Sequence, residues 1–245
     1  MCGILFLAKK QKVSNEDLNN FCNGLKLKGM RLRGPDNFDY NLLNNNVIFG
    51  HTRLSILDLS KSGNQPMKSA NNRFVITFNG EIFNYKELKN KLRFESWRSN
   101  TDTEVILEII NKYGVKKGLN MLNGDFAMVI YDNFRNEFII ARDRFGAKPV
   151  YYYEDQNLIC VSSRVESLLL AIGKKAEPDL NSISEYFHNG IGGESLNSWF
   201  KGIKRFPPGS FSINKLEEDF KISFKRYWDY PESIKQKNNL NFINK

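Results

Sequence analysis

The stretch DFAMVIYDNFRNEFIIARDRFGAKPVYYYEDQNLICVS, Asp125–Ser162, holds four apolar runs of strand length. Asp125–Asp132 and Glu137–Arg142 are separated by Asn133–Asn136, and Val150–Tyr153 and Leu158–Ser162 by Glu154–Asn157. Short polar, turn-prone breaks between β-branched and aromatic runs are hairpin spacing, so both pairs read as antiparallel hairpins. Outward from this stretch the pattern changes to helices in pairs. Thr101 with Glu104 marks the start of a helix over Asp102–Tyr113, with Gly114 placed for a left-handed cap. Asn84 with Glu87 marks another, running through Leu92. Arg73–Phe78 before it reads as a buried strand that runs into Asn79-Gly80.

Further upstream, Val47–Leu54 reads as a strand entered through Asn44-Asn45-Asn46, and Gly3–Ala8 as a short buried strand. Between them Ser14 and Asp17 form a capping signature, with Leu18, Phe21, Cys22 and Leu25 on one helical face. Downstream, helices are predicted over Val165–Ala171 and Leu180–Phe187, and strands over Gly209–Ile213 and Phe220–Tyr227. Hairpin-linked strands interrupted by helix pairs, without strict βαβ alternation, predict an α+β architecture with largely antiparallel sheets. The pattern dissolves after Trp228, and Pro231–Lys245 is polar and rich in Lys and Asn. The expected division is therefore a domain over 2–228 and a linker or frayed tail over 229–245.

Composition narrows the function. The 245 residues are 41% hydrophobic and 26% charged, and no apolar run approaches the length of a membrane span. MCGILFLAKK at the N-terminus has its charges after the apolar part, the reverse of a secretory signal, so a cytoplasmic protein is expected, with no membrane partner. Cys2, Cys22 and Cys160 make no disulfide framework, and with only His51 and His188 there is no metal-ligand spacing. The net charge of +9 is scattered through Asn-rich stretches rather than gathered on a basic helix, which argues against nucleic acid as a partner. Neither a phosphate-binding GxxxxGK[ST] loop nor GxGxxG is present.

Cys2 is the unusual residue. Removal of Met1 would expose it as the N-terminal residue, with its own α-amine within reach of its thiol. An α-amine of pKa ~7.7–8.0 is roughly a tenth to a fifth unprotonated at pH 7, enough to act as the base a histidine usually supplies. Taken alone, Cys2 reads more readily as a small hydrophobe opening a buried strand, and His51 stays open as a partner. Asn79-Gly80 reads either as anion-holding donors or as a hairpin turn. Arg53 and Glu81 read as ligand contacts or as a surface ion pair, and Asp102 as a ligand contact or a helix cap.

MCGI, RGPD at Arg33–Asp36, HTRLSILDLS at His51–Ser60, NQPM at Asn64–Met67 and FNGEIFNYKEL at Phe78–Leu88 occur in order. DTEVIL at Asp102–Leu107, LNGDFA at Leu122–Ala127, ARDRFGAKPVYY at Ala141–Tyr152, GIKRFPPG at Gly202–Gly209 and RYWDYP at Arg226–Pro231 continue the series. Together they resemble the class II glutamine amidotransferases, and most of all the N-terminal half of asparagine synthetases. The resemblance implies a four-layer αββα sandwich of the N-terminal-nucleophile (Ntn) hydrolase type. It implies Cys2 as nucleophile toward L-glutamine, and Asn79 and Gly80 as holders of the oxyanion. Arg53 would take the substrate carboxylate, backbone at Leu54, Ser55, Ile56 and Leu57 would line the pocket, and Glu81 and Asp102 would accept the ammonium. No metal or cofactor is implied for this half.

Two departures accompany the resemblance. The family often has Arg-His-Arg-Gly-Pro-Asp where this chain has Arg31-Leu32-Arg33-Gly34-Pro35-Asp36, in a segment that covers the glutamine site in relatives. The synthetase domain, which in the family carries ATP and Mg on a Ser-Gly-Gly-Leu-Asp-Ser type loop, is absent from these 245 residues. The ammonia-receiving partner is therefore expected on another polypeptide or on a part of the gene outside this sequence. A homodimer is compatible with this reading. The alternative is a catalytically idle binding or regulatory module that keeps the fold, against which stands the retention of Cys2, Arg53, Asn79, Glu81 and Asp102 together.

Overall fold

The computed structural model describes residues 1–189 and 196–230. Its strands are β1 (Gly3–Lys9), β2 (Asn37–Leu43), β3 (Val47–Arg53), β4 (Met67–Lys68), β5 (Phe74–Ile82) and β6 (Gly124–Asp132). They continue as β7 (Glu137–Arg142), β8 (Tyr151–Glu154), β9 (Leu158–Ser162), β10 (Lys204–Arg205), β11 (Ser210–Lys215) and β12 (Lys225–Arg226). The helices are α1 (Asn15–Lys26), α2 (Lys28–Arg33), α3 (Tyr85–Leu92), α4 (Asp102–Tyr113), α5 (Val115–Met121), α6 (Val165–Ala171) and α7 (Leu180–Asn189). The strands form two six-stranded sheets, ordered β10-β8-β9-β1-β3-β2 and β12-β11-β7-β6-β5-β4.

Alternation along the strands builds the layers. In β1, Ile4, Phe6 and Ala8 point to one face and Leu5 and Leu7 to the other, so a continuous apolar run is buried on both sides. The first set meets Ala127, Val129 and Tyr131 of β6 and Phe138 and Ile140 of β7 between the sheets. The second set packs under Phe21 and Leu25 of α1, Met30 of α2 and Leu168 of α6. The outer face of the second sheet, with Phe126, Met128 and Ile130, is covered by Val105, Ile106 and Ile109 of α4 and by α3 and α5. The order is helix, sheet, sheet, helix, the expected αββα sandwich. Phe6 lies 4.9 Å from the ring of Phe49 within its sheet and 5.0 Å from Phe138 across the gap. Full burial of such a ring contributes about 1.5–3 kcal/mol.

Two polar bonds tie the sheets where β3 and β5 face each other. Thr77 donates Oγ1–H to the Gly50 carbonyl at 3.0 Å, and His51 Nε2 lies 3.1 Å from the Phe78 carbonyl. A carbonyl only accepts, so His51 carries its proton on Nε2. Burial pushes its pKa down to about 3, and it is a neutral strut inside the sandwich.

The local signals fare unevenly. Ser14 and Asp17 make both halves of a capping box on α1. Asn84, placed to cap α3, instead donates Nδ2–H to Met121 O and accepts from Asn123 N–H with Oδ1, holding the end of α5. Gly114 has φ +79 but ψ 166, which is not a left-handed cap, and α5 begins at once after it. Phe220 and Ile222 are buried between the sheets without strand pairing, and only Lys225–Arg226 of the expected last strand is β. The largest correction concerns Asn79-Gly80. β5 does not end there but continues to Ile82, paired with β6 as Asn79↔Ala127 and Gly80↔Phe126. Of the expected tail, residues 231–245 lie outside the described residues.

Candidate active site

The site forms where the two sheets open at one end. Cys2 precedes β1, Arg53 ends β3, Asn79 to Glu81 lie in the last part of β5, and Asp102 starts α4. Gly3 pairs with Thr52, which sets Cys2 beside the exit of β3. The His51–Phe78 bond sets that exit against β5. Asp102 Oδ2 accepts the Ile82 N–H at 2.9 Å and draws the start of α4 to the same point. A cleft of about 130 Å³ results, lined by Cys2, Arg53, Leu54, Ile56, Leu57, Asn79, Gly80, Glu81 and Asp102. Ser55 is the one expected pocket residue that does not line it. Its N–H is turned to Asp36 Oδ2 at 2.7 Å.

Glycines make the convergence sterically possible. A Cβ on Gly3 would lie 2.6 Å from Thr52 Oγ1 and 2.9 Å from Met30 Cε, so only glycine lets Cys2 approach β3 this closely. At Gly80 a Cβ would overlap the Asp125 carbonyl and lie 2.7 Å from Phe126 Cα. Gly80 is therefore required by the nearness of β6, not by a turn.

Cys2 Sγ accepts the Leu54 N–H at 3.4 Å. Burial pushes the thiol pKa up, and the Leu54 N–H, the chain N-terminus and Arg53 oppose it, in that order. Arg33 donates Nε–H to the Cys2 carbonyl at 3.0 Å, while its buried Nη2 has no partner among the described residues. Asp36 N–H donates to the Arg53 carbonyl at 3.0 Å. The Arg33–Asp36 segment thus fixes both the nucleophile's backbone and the end of β3, and Leu32, the departure just before it, is exposed.

Arg53 is 5% exposed. Its Nη1 donates to Ser60 O and Asn64 Oδ1, each at 2.7 Å, and its Nη2 to Asp58 O. Gly63 makes room for it, since a Cβ there would lie 2.9 Å from Cζ. All three acceptors are neutral oxygens, and among the described residues no carboxylate lies within ion-pair distance of this buried cation. Asn79 is 1% exposed, and among the described residues its Nδ2 has no hydrogen-bond partner. Asp102 is raised to about 6, first by burial and further by the charge of Glu81, against N–H donors from Ile82 and Thr103. Asp102 is not the helix cap. Thr101 is, accepting the Glu104 N–H at 3.3 Å with Oγ1. Glu81 sits exposed at the rim.

Sequence reasoning passed over several residues that build this geometry. Gln65 accepts the Phe78 N–H at 2.6 Å and donates Nε2–H to Thr103 Oγ1 at 3.2 Å, tying β5 to α4. Asp58 accepts Ser60 N–H at 2.8 Å and Asn100 N–H at 2.9 Å, closing the loop around Arg53. Lys148 also lines the cleft. The motifs containing these residues were visible; their convergence depends on the fold. Among the described residues there is no group of three or more His, Cys, Asp or Glu that could hold a metal ion, and no helix is long and apolar enough to cross a membrane.

Residues 1–228 match the family described as "Glutamine amidotransferase domain". A protein of Methanocaldococcus jannaschii, provisionally described as a glutamine-hydrolysing asparagine synthetase 2, is 37% identical over 211 residues, 78% of this chain and 40% of that one. Asparagine synthetase 3 (glutamine-hydrolysing) of Bacillus subtilis is 32% identical over 239 residues, 94% of this chain and 37% of that one. The chain thus spans about two fifths or less of these relatives. A solved glutamine phosphoribosylpyrophosphate amidotransferase from B. subtilis, complexed with ADP and GMP, aligns with a TM-score of 0.60 at 17% identity, covering 93% of this chain and 49% of that one. That likeness is one of fold.

Proposed function

We infer that this chain, which belongs to the glutamine amidotransferase domain family, hydrolyses L-glutamine to glutamate and ammonia with Cys2 as its nucleophile. The observation that carries the reading is the unpartnered, buried Nδ2 of Asn79 in the cleft that Cys2 lines. A buried donor left without an acceptor costs about 1–3 kcal/mol, and an oxyanion formed by attack at Cys2 would supply that acceptor.

Met1 also lines the cleft, and its removal frees the Cys2 nitrogen. The α-amine then takes the thiol proton, and Sγ attacks the carboxamide carbon. Negative charge on the former carbonyl oxygen is held by Asn79 Nδ2–H and Gly80 N–H. Collapse expels ammonia, with the proton returned by the amine, and leaves a γ-glutamyl thioester. Water, deprotonated by the same amine, cleaves the thioester to glutamate. Arg53 takes the α-carboxylate in a charge-assisted bond, and Asp102 and Glu81 take the α-ammonium. None of these steps needs a metal or organic cofactor.

The ammonia would pass to an ATP- and Mg-dependent synthetase like that of the asparagine synthetase relatives, in the cytoplasm, on another chain or elsewhere in the same protein. The test is glutamate release from glutamine by purified chain beside Cys2→Ala, with intact mass reporting the N-terminus. Release by the parent and none by the variant is expected. Equal release by both would remove Cys2 from the chemistry.

A further inference from the structure

We propose that Lys148 is a specificity-determining residue that holds the product glutamate in preference to glutamine, its ammonium standing at the end of the cleft where the amide becomes a carboxylate. The proposal rests on the glutaminase reading above and extends it to a residue that reading does not use.

Lys148 is presented by a rigid loop between β7 and β8. Asp143, fully buried, accepts four backbone N–H groups there. Oδ1 takes Phe145 at 3.1 Å and Ala147 at 2.9 Å, and Oδ2 takes Phe126 at 3.2 Å and Lys148 at 3.0 Å. Arg142 holds the same loop by its carbonyls, donating Nε–H to Lys148 O at 2.8 Å and Nη2–H to Gly146 O at 2.6 Å. Gly146, at φ +69, supplies the turn. Both backbone groups of Lys148 are therefore fixed by a buried carboxylate and a guanidinium. The half-buried side chain lines the cleft, and among the described residues its ammonium has no hydrogen bond, ion pair or ring contact. The loop thus fixes the point from which the Lys148 side chain enters the cleft.

Strand order gives the direction. Lys148 leads into β8, and the sheet runs from there through β9 to β1, which Cys2 precedes, and on to β3, which Arg53 ends. The strand that Lys148 leads into and the strand that Arg53 ends thus lie on opposite sides of β1. A glutamine with its carboxylate on Arg53 and its amide at Cys2 points the amide toward Lys148. The other charged residues lining this space are Arg53 with Asp58 beside it, Met1 with the chain N-terminus, and Asp102 and Glu81, whose carboxylates would lie with the substrate's amino end. Toward a neutral amide the Lys148 charge contributes little. Toward the new γ-carboxylate it is an opposite charge in a partly enclosed cleft, worth roughly a three- to tenfold gain in affinity.

The experiment is titration calorimetry of glutamine and of glutamate into the full chain carrying Cys2→Ala, which blocks turnover, with and without Lys148→Met or Lys148→Arg. Lys148→Met should weaken glutamate about three- to tenfold while the glutamine Kd stays within twofold, and Lys148→Arg should keep the parent ratio. The unchanged glutamine Kd also reports that the variant is folded. A glutamate-to-glutamine ratio that does not move in Lys148→Met overturns the proposal and leaves the glutaminase reading intact. Failure of glutamine to bind the Cys2→Ala chain at all would overturn that reading, and this proposal with it.

Discussion

Replacing Asp102 by Asn should stabilise the ligand-free protein at neutral pH. Asp102 is 5% exposed, and burial, with a further contribution from Glu81, lifts its pKa from 3.8 to about 6. A carboxyl whose pKa is higher in the fold than in the unfolded chain keeps an extra proton in the fold between those two values. The fold therefore loses stability as pH rises from about 4 to about 6 and stays at the lower level above. The loss corresponds to about 3 kcal/mol at ~1.36 kcal/mol per unit. Asp102 lies in the first turn of α4, where the helix N-terminus favours negative charge by about 0.3–1 kcal/mol, leaving a net of about 2 kcal/mol. An Asn in its place can still accept the Ile82 N–H. Asp102→Asn should accordingly raise the Tm at pH 7 by about 4–8 °C in the absence of glutamine, with the gain disappearing near pH 4. Thermal melts of both proteins across that range are the assay. A variant that melts at or below the parent at pH 7 would refute the argument, and would mean that the N–H donors around Asp102 outweigh its burial.

Asn79→Ala should lower kcat of glutamate release about 10²- to 10³-fold with little change in Tm, because the amide it removes donates no hydrogen bond in the free protein. A kcat within tenfold of the parent would place the oxyanion elsewhere. Gly80→Ala forces a Cβ into the Asp125 carbonyl and against Phe126 Cα, backbone that cannot swing aside, and should cost about 3 kcal/mol or more. Urea unfolding measures this directly, and a parent-like midpoint would contradict the closeness of β5 and β6.

What was legible in the sequence follows the range of the interaction that decides each feature. The Ser14–Asp17 capping box and the hairpins of Asp125–Ser162 are settled by residues a few positions apart, and they stand. Asn-Gly is also a strong local signal, for a turn, but here it loses to pairing with β6, more than forty residues on, which carries β5 through to Ile82. β2 went unread because Asn37, Asp39 and Asn41 alternate with Phe38, Tyr40 and Leu42 on a half-exposed edge strand that looks like loop in composition. Of the site, Cys2, Arg53, Asn79, Gly80, Glu81 and Asp102 were legible through motif resemblance, and the structure brings them to one cleft. Arg33 at the Cys2 carbonyl and Gln65 between β5 and α4 were not, since their partners lie 31, 13 and 38 positions away and no periodicity records such contacts.

The free protein keeps three polar groups in one cleft whose needs are unmet from within. Asn79 Nδ2 is a donor without an acceptor, Arg53 is a cation without a carboxylate, and Asp102 is a carboxyl pressed toward neutrality by burial. The unmade hydrogen bond at Asn79 alone costs a fold about 1–3 kcal/mol. On the proposed reading, a single α-amino acid with a side-chain carbonyl would answer all three at once, with carboxylate for Arg53, ammonium for Asp102 and oxygen for Asn79. The base follows by the same accounting of positions. His51, the buried histidine at the base of the sandwich opening, is held neutral at the Phe78 carbonyl with its proton facing the opposite sheet, and it does not line the cleft. His188 lies exposed on α7, with Nδ1 at the Ser184 carbonyl. With neither imidazole at the thiol, the group placed to take its proton is the amine that Cys2 itself would carry once Met1 is gone.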